Sequence, residues 1–232
     1  REERERPVLI CLDLNASMLF ATRGSFKAVI ASKAAALLAW STNAHNDRLG
    51  ALIFAGDDYL ELKPRRGKSA VLDLIGKTCR HPAWNGADHG SVRNSRQALS
   101  RLRKVTRPGS LIFLISDFRQ MSEQAEMHLA NIAHHNDVVL IEIFDPVEAD
   151  LPPAGSYKVS DGTNELQLNT ADRRLRMQYR QRFDQRQGRL VKLCQQHRMY
   201  MLSMTTQDDV LASLQQGLGI PASKHSQFRT RR

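Results

Sequence analysis

A chain of 232 residues, 41% hydrophobic and 25% charged, can bury a full core and has the make-up of an ordinary globular protein. The longest apolar stretch, residues 31–40, is Ala-rich and carries Lys33, so it suits a buried helix and falls short of the roughly 20 residues of a membrane span. The formal charge of +10 invites acidic partners, nucleic acid or a membrane surface. The excess is local, though, in Arg65-Arg66-Gly67-Lys68, residues 173–192 and the last four residues. These runs read as solvated faces and a tail.

Taken in order, the chain opens on a charged lead-in, residues 1–6. Residues 8–14 form a first strand whose apolar run Val8-Leu9-Ile10-Cys11-Leu12 suits burial on both faces of a parallel sheet. A helix follows over residues 25–44, with Ser25 as its N-cap. Residues 48–54 and 59–62 form two strands joined through Asp57-Asp58, an antiparallel hairpin at a sheet edge. The next helix, residues 68–78, turns Val71, Leu72, Leu74 and Ile75 inward. A polar loop over residues 81–91 leads to a helix at 92–105. Residues 110–115, with LIFLI at their centre, are the clearest buried strand and end in Ser116-Asp117.

A helix at 123–135 and a strand at 138–144 follow, and the strand ends at Asp145-Pro146. Residues 147–169 hold a β-hairpin insert turning at Asp161-Gly162. Thr170 then caps a long helix to about residue 197, with Leu175, Tyr179, Phe183, Leu190 and Cys194 inward. A strand at 199–204 and a helix at 208–218 complete one domain of residues 1–220, and residues 221–232 are a basic, disordered tail. Strands alternating with helices predict an α/β fold, a doubly wound, mostly parallel sheet with helices on both faces. The start within a charged run, with no Met and no leader, reads as a piece of a longer chain. Whatever precedes it, a membrane anchor included, lies beyond the sequence.

Several chemistries lack their residues. Gly67-Lys68-Ser69 lacks the first glycine of a phosphate loop, because Leu62 stands there. There is no nucleophile elbow, no H-E-x-x-H and no C-x-x-C. Three separated cysteines, Cys11, Cys79 and Cys194, suit a reducing compartment. What remains is a pair of strand-end carboxylates, Asp13 and Asp117. In a parallel sheet both lie on one edge, where α/β proteins bind ligands. Asp13, Asn15 and Ser17 put three oxygen-bearing side chains on one side of a turn, a set that suits a hard cation such as Mg²⁺. The alternative is that these side chains cap backbone N–H groups within their own turns.

The run from Asp13 to Met18 resembles the D-x-S-x-S loop of von Willebrand factor A domains. The ordered set of Glu2-Glu3-Arg4-Glu5-Arg6-Pro7, Asp13 to Met18, Asp47-Arg48-Leu49-Gly50, Ser116-Asp117-Phe118 and Ser203-Met204-Thr205-Thr206 resembles the bacterial DUF58 family over nearly the whole chain. The resemblance implies a von Willebrand factor A-like fold and a metal-ion-dependent adhesion site. Carried over residue by residue, Asp13, Ser17 and Asp117 match, and Asn15 stands where the family has Ser. The second loop's Thr is missing: Gly86-Ala87-Asp88 stands where Gly-Thr-Asp would be, leaving Asp88 or Ser91 as a substitute.

The resemblance further implies a non-enzymatic, cytoplasmic interaction domain in which Mg²⁺ accepts an acidic side chain from a partner. That partner is of the MoxR-type AAA+ ATPase class, and the pair acts in assembly or maturation of protein complexes. Three rival readings stay open. The same fold binds a partner without metal, the Arg-rich helix and tail bind nucleic acid, or Asp13 and Asp117 serve a metal-dependent hydrolase that lacks a recognisable general base.

Overall fold

The computed structural model describes residues 6–85, 93–160 and 165–219. Three sequence readings fall outside them: Asp88 and Ser91, the hairpin turn at Asp161-Gly162, and the basic tail. A six-stranded sheet runs in the order β3-β2-β1-β4-β5-β8. Its strands are β1 (Pro7–Asp13), β2 (Arg48–Ala55), β3 (Asp58–Arg65), β4 (Leu111–Ser116), β5 (Asp137–Phe144) and β8 (Tyr200–Thr205). All neighbours are parallel except β2 and β3, the antiparallel edge hairpin expected from their short linker. A separate antiparallel hairpin, β6 (Ser156–Ser160) with β7 (Glu165–Asn169), is the expected insert.

The central strands read as unbroken apolar runs because both of their faces are covered. Val8, Ile10 and Leu12 pack on one side with α1 (Lys27–Ala44), α2 (Lys68–Cys79) and α7 (Val210–Gly217). Leu9 and Cys11 pack on the other with α3 (Arg93–Val105), α4 (Glu123–Ala133) and α6 (Arg173–His197). Alternation along each strand sends successive side chains into opposite cores. Ile112 and Leu114 of β4 join the second core, and Phe113 and Ile115 the first.

Four local expectations are corrected. Leu72 is 52% exposed, because the buried face of α2 is Ala70, Val71, Leu74 and Thr78. Leu175 is also exposed, and the buried contacts of α6 begin at Phe183, beyond its first turns. Ser25 does not cap α1: the N-cap is Phe26, with no side-chain cap bond, and the Lys27 N–H donates to the Phe20 carbonyl at 3.1 Å. Thr170 does not cap α6 either. Asp172 does, accepting from the Arg174 N–H, while the Thr170 hydroxyl donates to Pro153 O at 2.7 Å and ties down the base of the insert.

A short helix not foreseen, α5 (Pro146–Ala149), follows β5. Asp145 and Glu148 form its capping box, with Pro at its start.

The loop from β1 to α1 passes over the carboxyl edge of the sheet and is held there at two points. Asp145 accepts from the Thr22 hydroxyl (2.6 Å), the Thr22 N–H (2.8 Å) and the Thr206 hydroxyl (2.7 Å), joining the loop to the ends of β5 and β8. Burial alone would raise this carboxyl, yet these donors hold it below the usual range. Gly24, at φ +79°, lies so close to the β8–α7 turn that an added Cβ would meet Thr206 O at 2.6 Å. Gly24→Ala therefore combines a left-handed backbone with a clash, and an expected loss of about 2–3 kcal/mol is measurable by urea denaturation.

A candidate functional site at the switch point of the sheet

From β1 the chain winds outward to β2 on one side, while β4 sits on the other. A crevice therefore opens at the carboxyl ends of β1 and β4, where doubly wound sheets bind ligands. The structure brings Asp13, Asn15, Ser17, Ser116 and Asp117 together there, around a cavity of about 20 Å³ walled by Phe54, Leu99, Leu114 and Phe118. Asp13, Asn15, Ser116 and Asp117 are all buried.

Each of these groups is already engaged. Asp13 Oδ1 accepts from the Asn15 N–H and from the Asn15 side-chain amide, both at 2.8 Å, and Asp13 Oδ2 accepts from the Ser116 hydroxyl at 2.5 Å. The Asn15 carbonyl oxygen turns the other way, accepting from the Gly56 N–H at 2.8 Å. Asp117 Oδ1 accepts from the Arg119 N–H at 3.1 Å, and the Ser17 hydroxyl also donates to this carboxylate.

Two residues that the sequence reading passed over complete the site. Lys27, the first residue of α1, has no exposed surface. Its Nζ donates to Asp117 Oδ2 at 2.8 Å and to both oxygens of Glu148 at 2.8 and 3.0 Å. Glu148 in turn accepts from the Asp145 N–H at 2.9 Å and from Arg119 Nη1 at 2.9 Å. The guanidinium side chain of Arg119 is 46% exposed. The chain of charges thus runs from buried Asp117 through Lys27 and Glu148 to an arginine at the surface. One signal for it stood in the sequence, the D-x-x-E capping box Asp145-Pro146-Val147-Glu148, which marks the acid but not the lysine that meets it.

The two aspartates experience opposite fields. Burial pushes Asp13 up to about 7, the charge of Asp117 adds to this, and the Ser116 and Asn15 donors only partly offset it. Burial would raise Asp117 too, but the Lys27 ammonium holds it below the usual carboxylate range. The thiol of Cys11, buried beside Asp13, is pushed far above its ordinary value, and so it is no nucleophile.

The donor set decides how well a divalent cation suits the site. Hard cations need oxygen ligands with free lone pairs. Here an amide N–H₂ faces Asp13, the Asn15 oxygen is taken by Gly56, and an ammonium occupies Asp117. As arranged, these residues do not fit such an ion. Among the described residues, no group of three His, Cys, Asp or Glu side chains is placed to hold a metal. Asp88 lies outside the described residues.

A crevice at the β1/β4 crest, on a mostly parallel sheet with an antiparallel edge hairpin and helices on both faces, defines the class as doubly wound α/β, as the sequence predicted. Within that class the chain belongs to the DUF58 family, "Protein of unknown function DUF58", which matches residues 1–189. It is 27% identical over 159 residues to the uncharacterized protein Rv1480 of Mycobacterium tuberculosis, covering 68% of this chain and 49% of that protein. The chain thus spans about half the length of the curated relatives it matches.

Among solved structures it is similar to the conserved hypothetical protein BatB from Bacteroides thetaiotaomicron. The TM-score is 0.61 at 16% identity, covering 92% of this chain and 97% of that one. An aerotolerance-related membrane protein from Bacteroides fragilis matches with TM-score 0.60 and 14% identity over the same shares of the two chains. These likenesses agree on the fold. Among the described residues, no helix is long and apolar enough to cross a membrane.

The raised Asp13 gives a pH dependence of definite sign. The unfolded chain releases this proton near 3.8, whereas the folded chain keeps it to about 7. Between these values the folded state binds more protons, so this group's contribution to stability falls as pH rises through the window. Asp13→Asn removes the titration. Its stability relative to the parent protein should rise by on the order of 2 kcal/mol between pH 5 and pH 8, measured by denaturant unfolding at both values.

Proposed function

We propose that this chain is a non-enzymatic protein-interaction domain that receives an acidic side chain of a partner at the crest of its sheet. The observation that carries this reading is Arg119. It is half exposed, lies at the carboxyl end of β4, and is anchored through one guanidinium nitrogen on Glu148. Its remaining donors suit a carboxylate, which guanidinium groups bind in a planar fork. Beside it, Arg182, Arg186 and Arg189 of α6 line the same groove with Phe118, Met121 and Glu126; Arg189 pairs with Glu126 at 2.6 Å, and Arg182 and Arg186 leave the approach basic. The fold and the family membership support an interaction domain, and the state of the crest carboxylates supports a non-catalytic one. Asp117 and Glu148 accept from Lys27, and Asp13 accepts from Asn15 and Ser116, so the three crest carboxylates are engaged by groups of the chain itself.

On the family resemblance, the partner is a MoxR-type AAA+ ATPase, and the pair acts in assembly or maturation of protein complexes. A nucleotide-driven partner suits a cytoplasmic encounter, with this domain carried on a longer, membrane-anchored chain. Recognition through arginine, without Mg²⁺, follows from the donor set described above.

The reading is tested by titrating the domain with a MoxR-type ATPase from the same cell. Binding should persist in EDTA and weaken by tenfold or more in Arg119→Gln, which removes the charge but keeps an amide donor for Glu148, with folding checked by the melting temperature. Loss of binding in EDTA would restore a metal-bridged contact. Binding of nucleic acid with a steep salt dependence, carried by the α6 arginines, would favour the rival reading.

A further inference from the structure

We propose that Lys27 is the resident cation of this site, supplying permanently the positive charge that a divalent metal supplies in an adhesion site. Three observations carry the inference. The first is position: Nζ sits between carboxylates of two different elements, 2.8 Å from Asp117 Oδ2 and 2.8 and 3.0 Å from the two Glu148 oxygens. The ammonium thus joins the end of β4 to the start of α5. The second is burial: the lysine has no exposure at all, and the Phe20 ring, 6.0 Å from Nζ, lies over it.

The third observation is the unfavourable place in the helix. A helix N-terminus disfavours a cation, and no acid stands in the first turn of α1 to offset it. A lysine in that place gains its favourable interactions from Asp117 and Glu148.

The charge count agrees. Asp117 and Glu148 carry two negative charges, and Lys27 and Arg119 carry two positive ones, all within one hydrogen-bonded chain. Asp13 is left without a cation, and it receives neutral donors only, from Asn15 and Ser116. Asn15 stands where a hydroxyl would leave Asp13 free for a metal, and its amide is the complement that a metal-free carboxyl needs. Asn15 and Lys27 thus both supply, from the chain itself, donors to the carboxylates of this crest. The inference is independent of the partner proposed above, and its test uses metal ions alone.

The experiment is calorimetric and thermal titration of the whole chain with Mn²⁺ and Mg²⁺, alongside Lys27→Ala, Lys27→Met and the double variant Lys27→Ala/Asp117→Asn. The parent protein should show no saturable uptake up to several millimolar, above the roughly 10⁻⁴–10⁻³ M of the weakest protein Ca²⁺ modules. Its melting temperature should be unchanged by either ion. Lys27→Ala should melt roughly 10 °C lower, because it strands two buried carboxylates. Several millimolar Mn²⁺ should restore at least half of that loss, where Na⁺ at equal ionic strength does not.

Lys27→Met fills the space with a methyl-ended side chain and should show no rescue, nor should the double variant. One-to-one Mn²⁺ binding by the parent protein, lost in Asp117→Ala, would overturn the proposal. So would a Lys27→Ala protein, folded or unfolded, that no divalent ion restores, because Lys27 would then be an ordinary buried ion pair.

Discussion

One ammonium group, fully removed from water, holds the carboxylates of Asp117 and Glu148 together. Most of the crest depends on that contact. Charges taken out of water lose several kcal/mol each of hydration, roughly, and they persist only where geometry and further hydrogen bonds offset the loss. Here those further bonds are present. Glu148 caps its own short helix through the Asp145 N–H and grips Arg119, while Asp117 accepts from the Arg119 N–H and from Ser17. The start of α1, the end of β4 and the turn after β5 are thereby fixed with respect to one another, although Asp117 and Glu148 lie 90 and 121 residues from Lys27 in sequence.

Asp145 has a parallel role further along the same edge. It gathers Thr22 from the first loop and Thr206 from the last strand's exit, while Asn15, at the other end of that loop, is held by Asp13 and Gly56. Between these two anchors the loop has little freedom, and Asn15 and Ser17 are delivered to the β1/β4 crevice in one arrangement. That pre-ordering is what a recognition surface needs, since a site ordered before binding loses less on association. Around Asp13, Phe54, Leu99, Leu114 and Phe118 wall the crevice beside its polar residues, and burial with a neighbouring negative charge favours the protonated form of Asp13.

A shared crest thus has two electrostatic solutions. One recruits a hard cation with free oxygens, and the other supplies the positive charge from the chain. The donor pattern around Asn15 and Lys27 follows the second solution. The exposed consequence is Arg119, which carries positive charge to the surface through Glu148. A partner's carboxylate meeting a guanidinium gains directionality from the planar fork, where a bare ion offers mainly charge. The groove's remaining arginines, from α6, make the approach to that point favourable over a longer range.

The strands, the helices, the edge hairpin and the insert were legible because each rests on local patterning. Continuous apolar runs such as Val8 to Leu12 and LIFLI report burial on both faces, and Gly and Pro mark the breaks. The carboxyl-edge placement of Asp13 and Asp117 was legible for the same reason, since strand ends and sheet direction together locate an edge. The residues that decide what the edge does were not legible. Lys27 looks from its neighbours like a helix's solvated first residue, and Leu72 and Leu175 look like core. Which face of a helix meets the sheet, and which distant acid meets a lysine, depends on packing between elements far apart in sequence. Local composition therefore determined the architecture and the position of the site. Tertiary structure alone decided that its carboxylates face an ammonium and an amide, because the free energy of a buried charge is set by the groups that fold against it.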